Sequence, residues 1–130
     1  MNDLVLFDTH VWVWSLGQSF RLSGPAQKAI AEAQSPAVSP VSILEIVHKV
    51  RLGKWDDMAA LVPRLTQVVA EQGGLWADLT PGIAHLAGTL DWPHRDPFDR
   101  MLAATALVNG WVLISADTAF DSLTGLRRIW

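Results

Sequence analysis

Two aspartates follow apolar runs of the sequence that have the character of buried strands. Asp8 comes directly after the run 4–7, and Asp117 comes shortly after the run 112–114. Parallel sheets place their ligands beyond the carboxyl ends of the strands, at the point where the strand order reverses. If the two strands are neighbours, the two carboxylates lie close together, and their mutual repulsion favours a shared cation.

A third aspartate lies on the face of a helix that is expected to pack inward. Asp99 has Leu102 and Ala106 three and seven residues further on, which places all three on one side of the helix. A carboxylate on such a face needs a partner, because charged groups are seldom buried alone. Arg95, Arg100 or a helix cap would neutralise it in a purely structural role, and a metal ion would do so in a functional one.

A structural role is also the alternative for the other acids. Asp8 and Asp117 could each cap a following helix that begins at Thr9 or Thr118. Asp96 precedes a proline and is well placed as an N-cap, with support of a bound metal as its second role.

Glu45 lies on a helix that follows Ser39, one turn before Lys49. It is either a site residue or a solvated partner of that lysine. Ser42 lies one turn earlier on the same edge, where its hydroxyl could orient Glu45 or bond the helix backbone. The histidines show no zinc spacing, and none of them is assigned a metal; they are His10, His48, His85 and His94.

The elements that would position these residues alternate between strands and helices. We expect strands at 4–7, 37–39, 75–79, 111–115 and 126–129. Helices are predicted at 11–16, 26–33, 58–72, 80–90 and 96–109, with another after Ser39-Pro40 and a single turn at 118–122. Pro63 could kink the helix at 58–72. The alternation predicts one α/β domain over residues 1–130, built on a mostly parallel sheet.

Composition sets limits on the chemistry and the partners. Half of the 130 residues are hydrophobic and 18% are charged, which suits a single domain with a real core. Cysteine is absent, so oxygen or imidazole must hold any metal. The net charge of −3 provides no bulk positive field, so bound cations or local charges must attract a polyanion. No apolar run approaches the roughly 20 residues of a membrane span, and no secretory signal pattern is present, so a cytoplasmic location is expected.

Five motifs occur in order along nearly the whole chain. They are Leu6-Phe7-Asp8-Thr9-His10, Ser39-x-x-Ser42-x-x-Glu45-Ile46, His94-Arg95-Asp96-Pro97-Phe98-Asp99-Arg100-Met101-Leu102-Ala103-Ala104, Leu113-Ile114-Ser115-Ala116-Asp117 and Ile129-Trp130. Together they resemble the PIN-domain ribonucleases, and most of all the VapC-type toxins of bacterial toxin–antitoxin pairs. The stretch 94–104 is the most specific part of the resemblance.

The resemblance implies a five-stranded parallel sheet flanked by helices, and an acidic pocket that binds Mg²⁺ or Mn²⁺ and cleaves RNA. The acidic set that it implies is Asp8, Glu45, Asp99 and Asp117, with Asp96 as a further candidate ligand and Asp121 as a substitute for Asp117. It also implies a homodimer, and an antitoxin peptide that lies across the groove and silences the toxin. Exposed tryptophans are candidates for that contact.

Two further groups of residues would support such a site. Thr9, Ser42 and Ser115 carry hydroxyls beside the acids in the motifs. The candidate phosphate contacts are the nearby basic residues Lys49, Arg51, Lys54, Arg95 and Arg100. An ordinary solvated position is the alternative for each basic residue.

Two other classes of function remain open on the sequence. A Mg²⁺-dependent phosphatase of doubly wound type would also place an aspartate after the first strand, but Thr9-His10 follows Asp8 where such enzymes have Asp-x-Asp-Gly-Thr. A catalytically silent binding module would use the acids only as helix caps and bind a partner protein through tryptophans. Chelator-sensitive cleavage of RNA distinguishes the nuclease from the binding module.

Overall fold

Five short strands form one parallel sheet in the computed structural model, which describes residues 4–130. They are β1 (Leu4–Phe7), β2 (Ser35–Val38), β3 (Leu75–Trp76), β4 (Val112–Ile114) and β5 (Arg128–Ile129). Their order across the sheet is β3-β2-β1-β4-β5, and all four neighbouring pairs are parallel. The mostly parallel sheet that the sequence predicts is confirmed, and β1 and β4 are neighbours, which was the condition for Asp8 and Asp117 to lie close together.

Six α-helices cover the sheet within the described residues. They are α1 (Thr9–Ser15), α2 (Gly24–Glu32), α3 (Pro40–Arg51), α4 (Leu65–Glu71), α5 (Pro81–Thr89) and α6 (Pro97–Asn109). Side chains of Ser23, Ser39, Thr80 and Asp96 accept a backbone N–H in the first turn of α2, α3, α5 and α6. The predicted starts of α3, α5 and α6 are confirmed, whereas α2 begins at Gly24, two residues before its predicted start. Gly110 ends α6 at a φ of 68°, a left-handed conformation that glycine adopts without strain.

The core has two layers, one on each face of β1. Phe7 and Trp12 are fully buried on one face, and Leu6 and Leu102 are fully buried on the other. Burial of each such side chain stabilises the fold by about 1.5–3 kcal/mol. β1 is apolar on both faces because helices cover both sides of the sheet. Every helix within residues 4–130 is too short or too polar to cross a lipid bilayer.

The helix predicted at 58–72 is wrong in its first part. Two single-turn 3-10 helices, Asp56–Met58 and Val62–Arg64, occupy this region, and α4 begins only at Leu65. Pro63 has no amide hydrogen and restricts the residue before it, so a continuous α-helix cannot pass through this point.

The outer strands are shorter than the sequence predicts. β3 spans Leu75–Trp76 where 75–79 was expected, because only Ala37 and Val38 of β2 face it in register. β5 likewise spans Arg128–Ile129 within the expected 126–129. Conversely, α1 begins at Thr9, two residues before the predicted start, since Asp8 caps it.

Candidate active site

The pairing of β1 with β4 places Asp8 beside Ser115. Phe7 pairs with Ile114 in the parallel register, so the two residues that follow leave the sheet side by side. Ser115 Oγ donates a hydrogen bond to Asp8 Oδ2 at 2.6 Å, and the Thr9 amide donates to Asp8 Oδ1 at 2.7 Å. Asp8 therefore lies where the strand order reverses, and its cap to α1 uses only one of its two oxygens.

A cavity of about 370 Å³ opens at this edge of the sheet. It is lined by five acids from four separate segments, namely Asp8, Glu45, Asp96, Asp99 and Asp117. His10, Trp14 and Lys49 also contribute to its wall. The fold thus gathers at one cavity all the acids that the sequence singled out, apart from Asp121.

Burial raises the pKa of two of these carboxyls. The pKa of Asp99 rises to about 6, chiefly because the group is desolvated, while the hydrogen bond from His94 opposes the rise and the nearby charge of Asp8 adds to it. The pKa of Asp8 is also raised, again chiefly by burial and against the hydrogen bond from Ser115. The hydrogen bonds that a capping carboxylate accepts lower its pKa. Capping therefore does not explain why the pKa values of Asp8 and Asp99 are raised.

Glu45 is a buried acid with an oxygen that lacks a partner. Its side chain is 7% exposed, and its Oε2 accepts a hydrogen bond from Lys49 Nζ at 2.8 Å. Its Oε1 is buried and has no hydrogen-bond partner within residues 4–130. The expected pairing with Lys49 is present, but the glutamate is buried and not solvated. A buried acceptor left unpaired costs about 1–3 kcal/mol, which a cation at this point would offset.

Thr9 and Ser42 join two helices beneath the cavity. Both side chains are fully buried, and Thr9 Oγ1 lies 2.8 Å from Ser42 Oγ. The hydroxyl of Ser42 therefore bonds Thr9 and does not orient Glu45 directly. The contact fixes α1 against α3, and so fixes the segment that carries Asp8 against the helix that carries Glu45.

His94 is a site residue that the sequence analysis missed. Its Nε2 lies 2.6 Å from Asp99 Oδ2. One ligand atom from each of His94, Asp99 and Asp117 lies within 4.8 Å of the others, a grouping that could hold a metal ion. Zinc-type spacing could not reveal it, because Asp117 lies in a separate segment, well after His94 and Asp99 in the chain. The available signal was the position of His94 two residues before the cap at Asp96.

Aromatic packing holds the His94 ring in place. Its centroid lies 4.8 Å from that of Trp92 and 6.4 Å from that of Phe120. Trp92 is in turn fixed by a hydrogen bond of 2.9 Å from its indole nitrogen to Ser122 Oγ. The contact between His94 and Asp99 is therefore supported by a rigid surrounding.

Asp96 is the N-cap of α6, as the sequence predicts. Its Oδ1 accepts hydrogen bonds from the amides of Phe98 and Asp99, at 2.8 and 3.3 Å. Because the same side chain lines the acidic cavity, the cap and a place beside a cation are compatible roles.

Asp117 lies at the cavity, whereas Asp121 is engaged elsewhere. Asp117 is exposed and caps the 3-10 turn Thr118–Ser122 through the amide of Ala119, at 2.9 Å. Arg128 binds both oxygens of Asp121, at 2.8 and 2.9 Å, and this ion pair lowers the pKa of Asp121. Asp117 is therefore the acid of this segment that can serve the site.

Arg100 is not available to bind a phosphate, which corrects the sequence prediction. Its guanidinium donates to the backbone oxygens of four residues, Ala87, Leu90, Trp92 and His94, at 2.6–2.9 Å. These bonds use its Nε and both terminal nitrogens. Arg100 instead holds the segment between α5 and α6, which carries His94, against the helix.

The other basic candidates differ in their surroundings. Lys49 is bound to Glu45 at the cavity wall, and Arg51 contacts the ring of His48 at 3.1 Å. Arg95 and Lys54 are exposed, and their side chains make no hydrogen bond or ion pair within the described part of the chain. Contact of these residues with phosphate stays a prediction.

The donor set of the cavity fits a hard divalent cation. It offers carboxylate oxygens and the imidazoles of His10 and His94, and no thiolate. Burial raises the pKa of two of these carboxyls, and Glu45 Oε1 has no hydrogen-bond partner within residues 4–130, so a cation in the cavity would stabilise the ionised forms. Asp99, Asp117 and His94 each place one ligand atom within reach of a shared ion, and Asp8, Glu45 and Asp96 line the same cavity as the two aspartates.

Comparison with known proteins places the chain in a family. Residues 5–126 match the PIN domain family, to which this chain belongs. The sequence is 34% identical over 122 residues to Ribonuclease VapC22 of Mycobacterium tuberculosis. The aligned segment covers 91% of this chain and 90% of that protein.

Solved structures share the fold at low sequence identity. The crystal structure of VapBC2 from Rickettsia felis, bound to a DNA fragment from the VapBC2 promoter, matches this chain with a TM-score of 0.66. The two chains are 12% identical, and the match covers 96% of each. DNA-bound VapBC from Salmonella typhimurium matches with a TM-score of 0.65 and 15% identity, over 98% of this chain and 97% of the other. The five-stranded parallel sheet and its helices are thus those of a PIN domain.

Proposed function

We propose that this protein is a divalent-metal-dependent endoribonuclease, the toxin of a VapBC-type toxin–antitoxin module. The observation that carries the proposal is the cavity of five acids at the strand-order reversal, where one buried oxygen of Glu45 has no hydrogen-bond partner among residues 4–130. The 34% identity to a protein named a ribonuclease supports RNA as the substrate.

Asp8, Glu45, Asp99 and Asp117 are the residues proposed to hold Mg²⁺, with Mn²⁺ as a substitute. Both ions take oxygen ligands, and Mg²⁺ uses few carboxylates because it keeps several waters. When bound, the ion supplies positive charge against the phosphoryl oxygens and lowers the pKa of water. It also offsets the net charge of −3, which by itself would repel RNA.

The surrounding residues hold the acids in position. Ser115 and the Thr9 amide each bind one oxygen of Asp8, which fixes the plane of its carboxylate. His94 binds one oxygen of Asp99, whose side chain lines the cavity. Lys49 and the exposed Arg95 are the proposed phosphate contacts at the rim.

We further propose an antitoxin protein and a second copy of the chain as partners. Structures that share this fold are described as VapBC and as a toxin–antitoxin complex from Klebsiella pneumoniae. Leu44 and Val47 on α3 and the following Leu52 are exposed apolar side chains, 36–59% accessible, which suits a contact between two copies. A cytoplasmic location goes with the proposed RNA substrate.

Cleavage of total RNA by purified protein tests the proposal. With Mn²⁺ present we expect discrete fragments that EDTA prevents. Asp99→Asn should reduce their rate of formation by more than about 100-fold, since loss of even an outer residue of a metal site costs about 10–100-fold. Asp78→Asn, at an exposed aspartate remote from the cavity, should cleave like the parent. Absence of any chelator-sensitive product would favour the binding module instead.

A further inference from the structure

A second cavity, larger than the acidic one, lies next to it. Its volume is about 590 Å³, and we refer to it as the aromatic pocket. The lining side chains used below are His10, Trp14, Arg21 and Trp55. His10 and Trp14 also line the acidic cavity, so the two cavities share a wall. A chain-like ligand held at the acids can therefore continue into the aromatic pocket.

Flat rings face one another in this pocket. The rings of His10 and Trp55 are stacked, with centroids 4.8 Å apart and planes at 26°. Trp14 lies 5.9 Å from His10 at an angle of 56°. His10 is exposed, and both tryptophans are only half-buried, so the stacked pair of His10 and Trp55 has its exposed ring, His10, on the solvent side. Stacking on such rings is the usual way in which proteins hold unpaired bases.

The tryptophans of this pocket differ from the buried ones in their hydrogen bonds. Trp12 and Trp92 donate their indole N–H to Gln72 and Ser122. The indole N–H groups of Trp14 and Trp55 have no such partner within residues 4–130. These donors are available to the edge of a bound base, whereas those of the core tryptophans are used by the fold.

Positive charge accompanies the rings. The Arg21 guanidinium lies 5.8 Å from the Trp14 ring centroid, and Lys49 Nζ lies 5.4 Å from that of Trp55. Arg21 makes no ion pair within the described residues, unlike Arg64 of the same lining, which Glu71 binds through both oxygens. A nucleotide joins a flat base to a phosphate. An aromatic ring beside the Arg21 guanidinium can therefore contact the base, while the guanidinium contacts the phosphate.

We propose that the aromatic pocket is a nucleobase site, which holds an unpaired base of the RNA adjacent to the phosphate at the acidic cavity. The inference rests on the proposed function and adds to it a contact with one base beside the phosphate. The base stacks on the exposed His10 ring, which Trp55 supports from the other side, next to Trp14, and Arg21 binds the backbone phosphate of the stacked nucleotide.

Binding of abasic RNA to Trp55 variants tests this site. The probe is a short single-stranded RNA, compared with copies that each lack one base near the cleavage position, with binding followed in EDTA so that no cleavage occurs. For the parent protein, loss of the stacked base should weaken binding on the order of 10-fold at one position. In Trp55→Leu the intact RNA should bind that much more weakly, and removal of the same base should have no further effect.

Two controls separate stacking from damage to the fold. Trp55→Phe keeps an aromatic face and should recover much of the affinity. Trp76→Leu, at an exposed tryptophan outside both cavities, should bind RNA like the parent. Arg21→Gln should reduce the slope of log affinity against log salt by about 0.7, the value for one phosphate contact on a single strand. Thermal melting of each variant shows whether it folds.

The outcomes distinguish this site from the proposed function. If the parent cleaves RNA but abasic substitution has no position-specific effect, the nucleobase site is wrong and the nuclease stands. If Trp55→Leu cleaves normally but no longer responds to an inhibitory partner protein, the pocket binds protein and the inference is overturned. If the parent shows no chelator-sensitive cleavage at all, it is the proposed function that fails.

Discussion

His94 Nε2 and Asp99 Oδ2 lie 2.6 Å apart, and this contact joins an aromatic cluster to the acidic cavity. The histidine ring packs against Trp92 and Phe120, so it has little freedom to turn. The carboxylate that it holds has a pKa raised to about 6 by burial. The contact therefore determines how one of the central acids of the site is presented to a cation.

Replacement of His94 should weaken metal binding more than it weakens the fold. His94→Ala removes the group that orients Asp99, and we expect the affinity for Mn²⁺, measured by calorimetry, to fall by about 10–100-fold. His85→Ala is the matched control, because His85 is an exposed histidine on α5 away from the cavity. Equal affinities in His94→Ala and His85→Ala would show that the contact has no part in binding the ion.

Asp99→Asn should stabilise the metal-free protein at neutral pH. The folded-state pKa of Asp99, about 6, lies above its ordinary value of 3.8, so the folded state binds this proton more tightly than the unfolded chain. The stability that comes from this group is therefore present below pH about 4 and is lost as the pH rises through about 6. Because solvent reaches the carboxylate in part, the variant should gain about 1–2 kcal/mol at pH 7.

Urea denaturation in EDTA measures this effect. The gap between Asp99→Asn and the parent should close as the pH falls from 7 toward 4, and Asp78→Asn should show no gap at either pH. A less stable Asp99→Asn at pH 7 would mean that ionised Asp99 stabilises the fold, contrary to the effect of its burial.

Asp8→Asn should abolish RNA cleavage while the protein remains folded. Asparagine keeps an oxygen that can accept from the Thr9 amide or from Ser115, but it lacks the charge that a cation requires. The pKa of Asp8 is raised by burial, so loss of the charge does not by itself destabilise the apo protein. We expect a loss of cleavage of more than about 100-fold with an unchanged or higher melting temperature. Loss of cooperative melting would assign Asp8 a structural role.

Arg100→Lys should destabilise the protein although it preserves the charge. Lysine cannot reproduce the fork of bonds to four backbone oxygens, so those carbonyls lose partners. We expect a fall in the free energy of unfolding of about 2–3 kcal/mol, measured with urea. Arg95→Lys is the control at an exposed position and should change stability by less than about 0.5 kcal/mol. A neutral Arg100→Lys would return Arg100 to the candidates for phosphate contact.

The sequence by itself determined the buried central strand, the starts of α3, α5 and α6, and which acids to examine. An apolar run of four residues identifies β1 as buried on both faces, and proline after serine, threonine or aspartate identifies the starts of α3, α5 and α6, because these signals act within a few residues. The prediction from local signals is wrong for the segment 58–72. Pro63 is expected to kink a helix there, but in the structure no α-helix precedes α4 in this segment.

Only the tertiary structure decided what each charged side chain contacts. Arg95 and Arg100 lie close together in the sequence, and no local pattern distinguishes them. In the structure Arg100 donates its hydrogen bonds to backbone oxygens, whereas Arg95 is exposed. His94 joins the acids, and Asp121 is drawn away from them by Arg128. The burial and hydrogen bonding of a side chain depend on segments that are far apart in the chain. A local sequence pattern cannot predict how such segments pack against one another.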